Sequence, residues 1–128
     1  MTASILPTNE RYAAKLLFQF RVTVDGDDGV MRTCEERIVV VRATHAREAL
    51  ARAKRYGRKE QHRYRNSDGN PVHFQFVGVL DLLLLGPECE EDEVWYDIVT
   101  RKQPMERAAA ILPDEAALNA IRGESVRP

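Results

Sequence analysis

Cysteine is scarce in this chain, with two in 128 residues, and Cys34 and Cys89 stand far apart and outside any CxxC spacing. A disulfide framework or a cysteine zinc site is therefore not expected, and both thiols read as reduced. The three histidines, His45, His62 and His73, are too scattered for a metal pair of the HExxH kind. The seven glycines show no Gly-x-Gly-x-x-Gly or Walker spacing of the kind that cradles phosphates. No Gly-x-Ser-x-Gly elbow offers a serine nucleophile. No long apolar segment crosses a membrane and no signal-peptide pattern opens the chain, so the expected location is the cytoplasm, with no membrane partner. A net charge of -1 gives no global pull toward nucleic acid or acidic substrates. From these absences no catalytic, cofactor-binding or metal-binding residue is assigned, no cofactor is expected, and the chain is not expected to be an enzyme. A Cys34 nucleophile with a histidine brought near in space is the one nucleophilic pairing that spacing leaves open.

What is present is an ordinary globular composition, 44% apolar and 30% charged, in a length that suits one domain. The longest apolar run is Val72 to Leu85. Val72, Phe74, Phe76, Gly78, Leu80, Leu82 and Leu84 share one face at a period of two, and from Val77 the other face is apolar too, interrupted by Asp81. This predicts a central strand covered on both faces, with a bulge or bend at Gly78. Tyr12 to Val24 alternates cleanly and predicts a first strand, ended by a hairpin turn at Asp25-Gly26-Asp27-Asp28-Gly29. Those aspartates lack the spacing of a calcium loop. Glu36 to Ala43 is β-branched and predicts the second strand. Thr44 stands as N-cap of a helix over His45 to Lys59, with Ala46, Ala49, Leu50, Ala53 and Gly57 buried and Tyr56 at the edge. Glu48 is placed to pair with Arg52.

Asn66 to Pro71 is a turn leading into the apolar run, and Gly86-Pro87 ends it. Glu93 to Thr100 alternates again and predicts a fourth strand. Two short helices, 105–112 and 114–122, divided by Pro113 and capped by Gly123, close the chain. The expected fold is α+β: a four-stranded antiparallel sheet in β-β-α-β-β order, one long helix across a face, and a short helical C-terminal tail. The spatial order is second, first, third, fourth, or else first, second, fourth, third. A flexible leader 1–10, a domain 11–102 and a partly disordered tail 103–128 complete the division.

Tyr12-Ala13-Ala14-Lys15-Leu16-Leu17-Phe18, Glu36-Arg37-Ile38-Val39-Val40-Val41-Arg42-Ala43 leading into Glu48-Ala49-Leu50, Phe76-Val77-Gly78-Val79-Leu80-Asp81-Leu82, and Glu93-Val94-Trp95-Tyr96 follow one another in an order that resembles an uncharacterised bacterial family, domain of unknown function four-two-eight-eight. The resemblance spans about Arg11 to Thr100 and implies a small bacterial cytoplasmic protein. It brings no catalytic residue.

Charge is the remaining signal. Arg42 to Arg65 holds nine basic and two acidic residues, whereas Asp81 to Asp97 holds seven acidic residues and no basic one. One reading is two solvated surfaces that attract each other within the chain or between two copies, a homodimer. A second is a non-enzymatic protein-binding module, of the kind that immunity or antitoxin-like proteins use, docking an unknown protein through the acidic residues Glu88, Glu90, Glu91, Asp92 and Glu93. A third is a nucleic-acid-binding domain using Arg47, Arg52, Lys54, Arg55, Arg58, Lys59, Arg63 and Arg65, with Tyr56, His62 and Tyr64 interleaved for stacking. Asp81 has three readings: an exposed bend, a buried carboxylate paired with an arginine or turn amides, or an acid–base residue.

Overall fold

The computed structural model describes residues 9–86, 89, 91–95 and 98–125. The chain divides into two compact units, Met1–Tyr96 and Asp97–Pro128. In the first, β1 (Glu10–Val22), β2 (Thr33–Ala43), α1 (Ala46–Glu60), β3 (His62–Arg65) and β4 (Pro71–Leu85) form an α+β fold around one four-stranded antiparallel sheet, in spatial order β2-β1-β4-β3. The second unit carries α2 (Ala108–Ile111), a 3₁₀ turn at Glu115–Ala117 and α3 (Asn119–Ser125). These pieces are shorter than expected, and Gly123 lies inside α3 instead of capping a helix before it.

The two central strands are the two whose sequences alternate most strongly, and β2 takes its expected place beside β1. The fourth strand does not. The described residues of Glu93 to Thr100 form no strand, and the position beside β4 belongs to His62–Arg65, which pairs with Pro71–Phe74. Sequence patterning misses β3 because all four of its residues are exposed and polar or aromatic, so no apolar alternation marks it. Its pairing is enforced by the turn that follows. Asn66 accepts from the Asp68 and Asn70 amides through its side chain, Gly69 adopts a φ of +79°, and the Asn66 amide bonds the Asn70 carbonyl. Such a turn reverses the chain and lays β3 against β4. The first hairpin follows its sequence more directly: Asp25 and Gly26 both take positive φ, and Val24 and Asp27 exchange backbone bonds at 2.9 Å.

One sheet face is the core. Ala14, Leu16 and Phe18 of β1 and Phe74 of β4 pack there with Ala53 of α1, while Tyr12, Ala43 and Ala49 form a second cluster beside them. The helix reaches the sheet through its small residues Ala49, Ala53 and Gly57, and it touches β1, β2 and β4. Ala46, expected in that buried stripe, is exposed. The cap also sits one residue later than Thr44. His45 Nδ1 accepts from the Glu48 amide, and the Glu48 carboxylate reaches back to the Thr44 amide at 2.7 Å. That bond, ahead of the Thr44 hydroxyl and the nearby Arg52 and His45 charges, holds the Glu48 carboxyl below its ordinary value, while desolvation opposes it.

The long strand β4 departs from regularity as expected, but not at Gly78. The register against β1 skips Val77 and then Leu80, with Gly78 paired to Leu17 between the two bulges. Each extra residue turns the following side chains over. Val79, between the bulges, therefore enters the core and Leu80, expected there, is 48% exposed, whereas Leu84, back on the core parity opposite Tyr12, is 44% exposed near the end of the strand. Asp81 is exposed, and its Oδ1 accepts from the Leu82 amide at 2.8 Å beside the second bulge. The buried-pair reading of Asp81 is corrected accordingly. Among the described residues no charged side chain is buried.

Candidate charged surfaces

The sheet face turned away from α1 is divided by chemistry. On its polar half two rows of side chains run across the strands. In the first, Arg32 donates to Gln19 Oε1 at 3.2 Å, and Gln19 donates to Gln75 Oε1 at 3.0 Å. In the second, Asp28 lies 3.9 Å from Arg21, Arg21 Nη2 donates to His73 Nδ1 at 3.3 Å, and Arg63 is the register partner of His73. An arginine can only donate, so this bond requires His73 Nδ1 to be the unprotonated acceptor. Desolvation first, and the Arg63 and Arg21 charges second, hold the His73 imidazole below its ordinary value.

A histidine whose folded-state value is depressed contributes stability that is complete above its unfolded value near 6.5 and is lost as pH falls below it. An NMR titration of His73 is expected to give a midpoint below the ordinary histidine value, and Arg63→Gln is expected to move it upward. A midpoint at or above the ordinary value would contradict the arrangement.

The apolar half of the same face begins at Ala13, Leu17 and Leu83 and continues onto β2 through Ile38 and Val40, each 41% exposed. Residues of the acidic connection return to this end. Arg11 Nη2 donates to the carbonyls of Glu91 at 2.9 Å and Glu93 at 2.7 Å, and Lys15 Nζ lies 5.8 Å from the centre of the Trp95 ring. Glu91, Asp92 and Glu93 are exposed, while Glu88 and Glu90 lie outside the described residues. A depression of about 350 Å³ opens here among Glu10, Arg11, Arg42, Leu85, Cys89 and Glu91.

The basic residues do not form one surface. Arg47, Lys54, Arg55 and Arg58 line a shallow depression of about 330 Å³ on the outer side of α1, floored by Leu50 and Ala51. At 1.5 Å per residue this row is about 16 Å long. Arg52 and Lys59, also exposed, stand on the flank of the helix that carries Glu48. Arg63 and Arg65 alternate out of β3 on the sheet face opposite α1, with Arg21 and His73. His62 and Tyr64 point the other way: the His62 ring packs on Phe74 at 5.2 Å and on Tyr64 at 5.6 Å. Tyr56 packs against the core and its hydroxyl accepts from Arg37. The eight cations and three rings that sequence groups together thus separate, because β3 is a strand whose neighbours alternate faces.

Arg37 is the polar residue that sequence reading passed over. Its guanidinium lies 4.7 Å from the Phe18 ring centre and bonds Glu35, Tyr56 and Glu60 at 2.5, 3.0 and 2.7 Å. Glu35 foremost, then Tyr56 and Glu60, raise its already high basicity against the opposing effect of burial. The cluster ties β2 to the last turn of α1 and reads as structural. The only signal for it in the sequence was an arginine on the core-facing parity of an apolar strand.

Among the described residues no group of histidine, cysteine, aspartate and glutamate could hold a metal ion, and no disulfide joins Cys34 to Cys89. Cys34 is exposed, and its thiol lies 3.8 Å from the Arg32 carbonyl. No helix among the described residues is long and apolar enough to cross a membrane.

A four-stranded antiparallel sheet with a helix packed against it, charged groups sorted onto separate surfaces and rows of polar side chains across the strands defines a small α+β domain. The chain belongs to the family described as Domain of unknown function (DUF4288), which matches residues 11–95. No curated protein and no solved structure matches it.

Proposed function

We propose that the chain is a non-enzymatic protein-binding module, and that it docks an acidic partner through the outer row of α1. The observation that carries this reading is the row itself. Arg47, Lys54, Arg55 and Arg58 surround one depression, exposed and outside every ion pair found among the described residues. Leu50 and Ala51 between them add apolar ground that suits side chains better than phosphates. The aromatic rings that would stack on bases are turned elsewhere, which favours a protein over nucleic acid. Cations held on a rigid helix steer an oppositely charged partner and lose strength as salt rises.

Fluorescence anisotropy with an acidic, leucine-containing peptide and with single- and double-stranded DNA and RNA tests the reading at low and high salt. The peptide is expected to bind. Arg55→Glu/Arg58→Glu is expected to weaken it about tenfold, since each exposed pair contributes a few tenths to 1 kcal/mol and reversal turns attraction into repulsion. Arg63→Glu/Arg65→Glu, on the other sheet face, is expected to leave it unchanged. Binding of nucleic acid but not peptide, reduced by both double variants, would replace this reading with a nucleic-acid-binding one.

A second reading, the immunity-like docking of a basic partner on the acidic connection, draws support from Arg11. By holding two carbonyls of the Glu91–Glu93 segment it sets the path of the chain that bears those carboxylates. Arg11→Ala is the variant that separates the two readings, because it loosens the acidic segment and leaves α1 intact.

A further inference from the structure

We propose that two copies of this chain join through β2, edge to edge and antiparallel, to make one continuous eight-stranded sheet. The three stretches of open edge in the sheet are unlike one another. β3 is four residues long and wholly exposed, with Arg63 and Arg65 flanking Tyr64. Beyond Phe74, the outer edge of β4 carries the bulges at Val77 and Leu80 and the charge of Asp81. Shortness, charge and bulges are the devices that keep a sheet edge from pairing. β2 is neither short nor bulged, and its charged residues Glu35, Glu36, Arg37 and Arg42 are of both signs, so a second copy can offset them. It runs 11 residues in unbroken register with β1, from Glu10↔Ala43 to Phe20↔Thr33, and contains no proline, glycine or lysine. Among the described residues no strand pairs with its outer edge.

The residues along β2 select one self-pairing. A two-fold axis normal to the sheet keeps both helices on the same face and sets residues of equal parity opposite each other. With the axis at Val39, Glu36 meets Arg42 of the second copy, Arg42 meets its Glu36, and Ile38 and Val40 meet each other twice. All four project from the face opposite α1, where Ile38 and Val40 are each 41% exposed. Moving the axis to Ile38 sets Glu36 against Val40, and moving it to Val40 sets Ile38 against Arg42. Neither brings opposite charges together. Among the described residues Glu36 has one ion pair, with Lys15 at 3.8 Å, and its side chain is 57% exposed, while Arg42 has none. Cross-strand opposite charges and β-branched pairs are the units that stabilise a ladder, and like charges placed directly opposite weaken it. A closed two-fold pairing also removes the one long flat edge from solvent.

Sedimentation equilibrium of the whole chain tests this, with circular dichroism to show that each variant is folded. The wild type is expected to dimerise at micromolar concentration, at twice its 14.6 kDa mass. Glu36→Arg and Arg42→Glu, each placing two like-charged pairs across the axis, are expected to weaken the dimer about tenfold. Glu36→Arg/Arg42→Glu restores both pairs with their signs exchanged and is expected to recover wild-type dimerisation. A monomeric wild type overturns the proposal, and so does a dimer indifferent to the single reversals or not recovered by the double one.

Discussion

Replacing Phe18 with alanine is expected to lower the stability of the sheet domain by about 3–5 kcal/mol, the usual cost of deleting a fully buried phenylalanine ring. Phe18 is wholly buried at the centre of β1, and its ring stacks on Phe74 at 4.7 Å with the planes 11° apart. Phe76 meets it at 5.6 Å, and the Arg37 guanidinium lies 4.7 Å from its centre. The ring therefore fills volume, takes part in aromatic pairs and supports the cation that joins β2 to α1. Losing it leaves a cavity between strands that cannot close without moving α1, so the cost belongs at the upper end of that range. A domain of this size loses roughly 4–8 °C of Tm per kcal/mol, which sets the expected drop on the order of 20 °C by thermal denaturation. Leu17→Ala, one residue along but on the half-exposed opposite face, is expected to cost far less. Equal losses for the two variants would mean that Phe18 is not the centre of the core.

The contrast between those two neighbours was legible in the alternation of β1, and so were the pairing of β1 with β2 and the helix between the hairpins; that β1 also pairs with β4 was one of two orders the sequence left open. Illegible were the features that depend on what a strand meets. His62–Arg65 has no apolar pattern, and only its closure by the Asn66–Asn70 turn makes it a strand. Val94 and Ile98 alternate with Trp95 and Val99 convincingly, yet the described residues there make no ladder. Trp95 instead lies near Lys15, and Arg11 takes up the neighbouring carbonyls. Periodicity records which faces of a segment could be buried, whereas a strand exists only if a neighbour supplies the hydrogen bonds. The same limit explains the charged surfaces. Counting charge along Arg42 to Arg65 merges a helix face with a strand, and it is the intervening turn into β3 that sends Arg63 and Arg65 to the opposite side from Arg55 and Arg58. Two bulges, invisible to a strict period of two, did the same to Val79 and Leu80.

Gly57→Ala tests how closely α1 lies on the sheet, because two well-founded effects there have opposite signs. Alanine inside a helix is favoured over glycine by about 1 kcal/mol, so propensity alone calls for stabilisation. But a Cβ at Gly57 would fall 2.7 Å from Cγ of Phe76 and closer still to Cδ1 and Cε1, all within the body of the ring. Phe76 packs against the core cluster of Phe18 and Phe74, so its ring cannot swing aside without disturbing them. Overpacking of this kind costs about 1–3 kcal/mol, and backbone or ring must shift to relieve it. The packing effect is therefore expected to win. Gly57→Ala should lower Tm by several degrees, where Gly123→Ala, in a helix with nothing within 4 Å of the added methyl, should leave its unit no less stable. Phe76→Leu provides the internal control, since a smaller side chain makes room for the methyl. In the Gly57→Ala/Phe76→Leu double variant the two losses should not add, leaving a coupling on the order of 1 kcal/mol between residues 57 and 76. An increase in Tm for Gly57→Ala alone would mean that α1 stands farther from β4 than the small-residue stripe of Ala49, Ala53 and Gly57 requires.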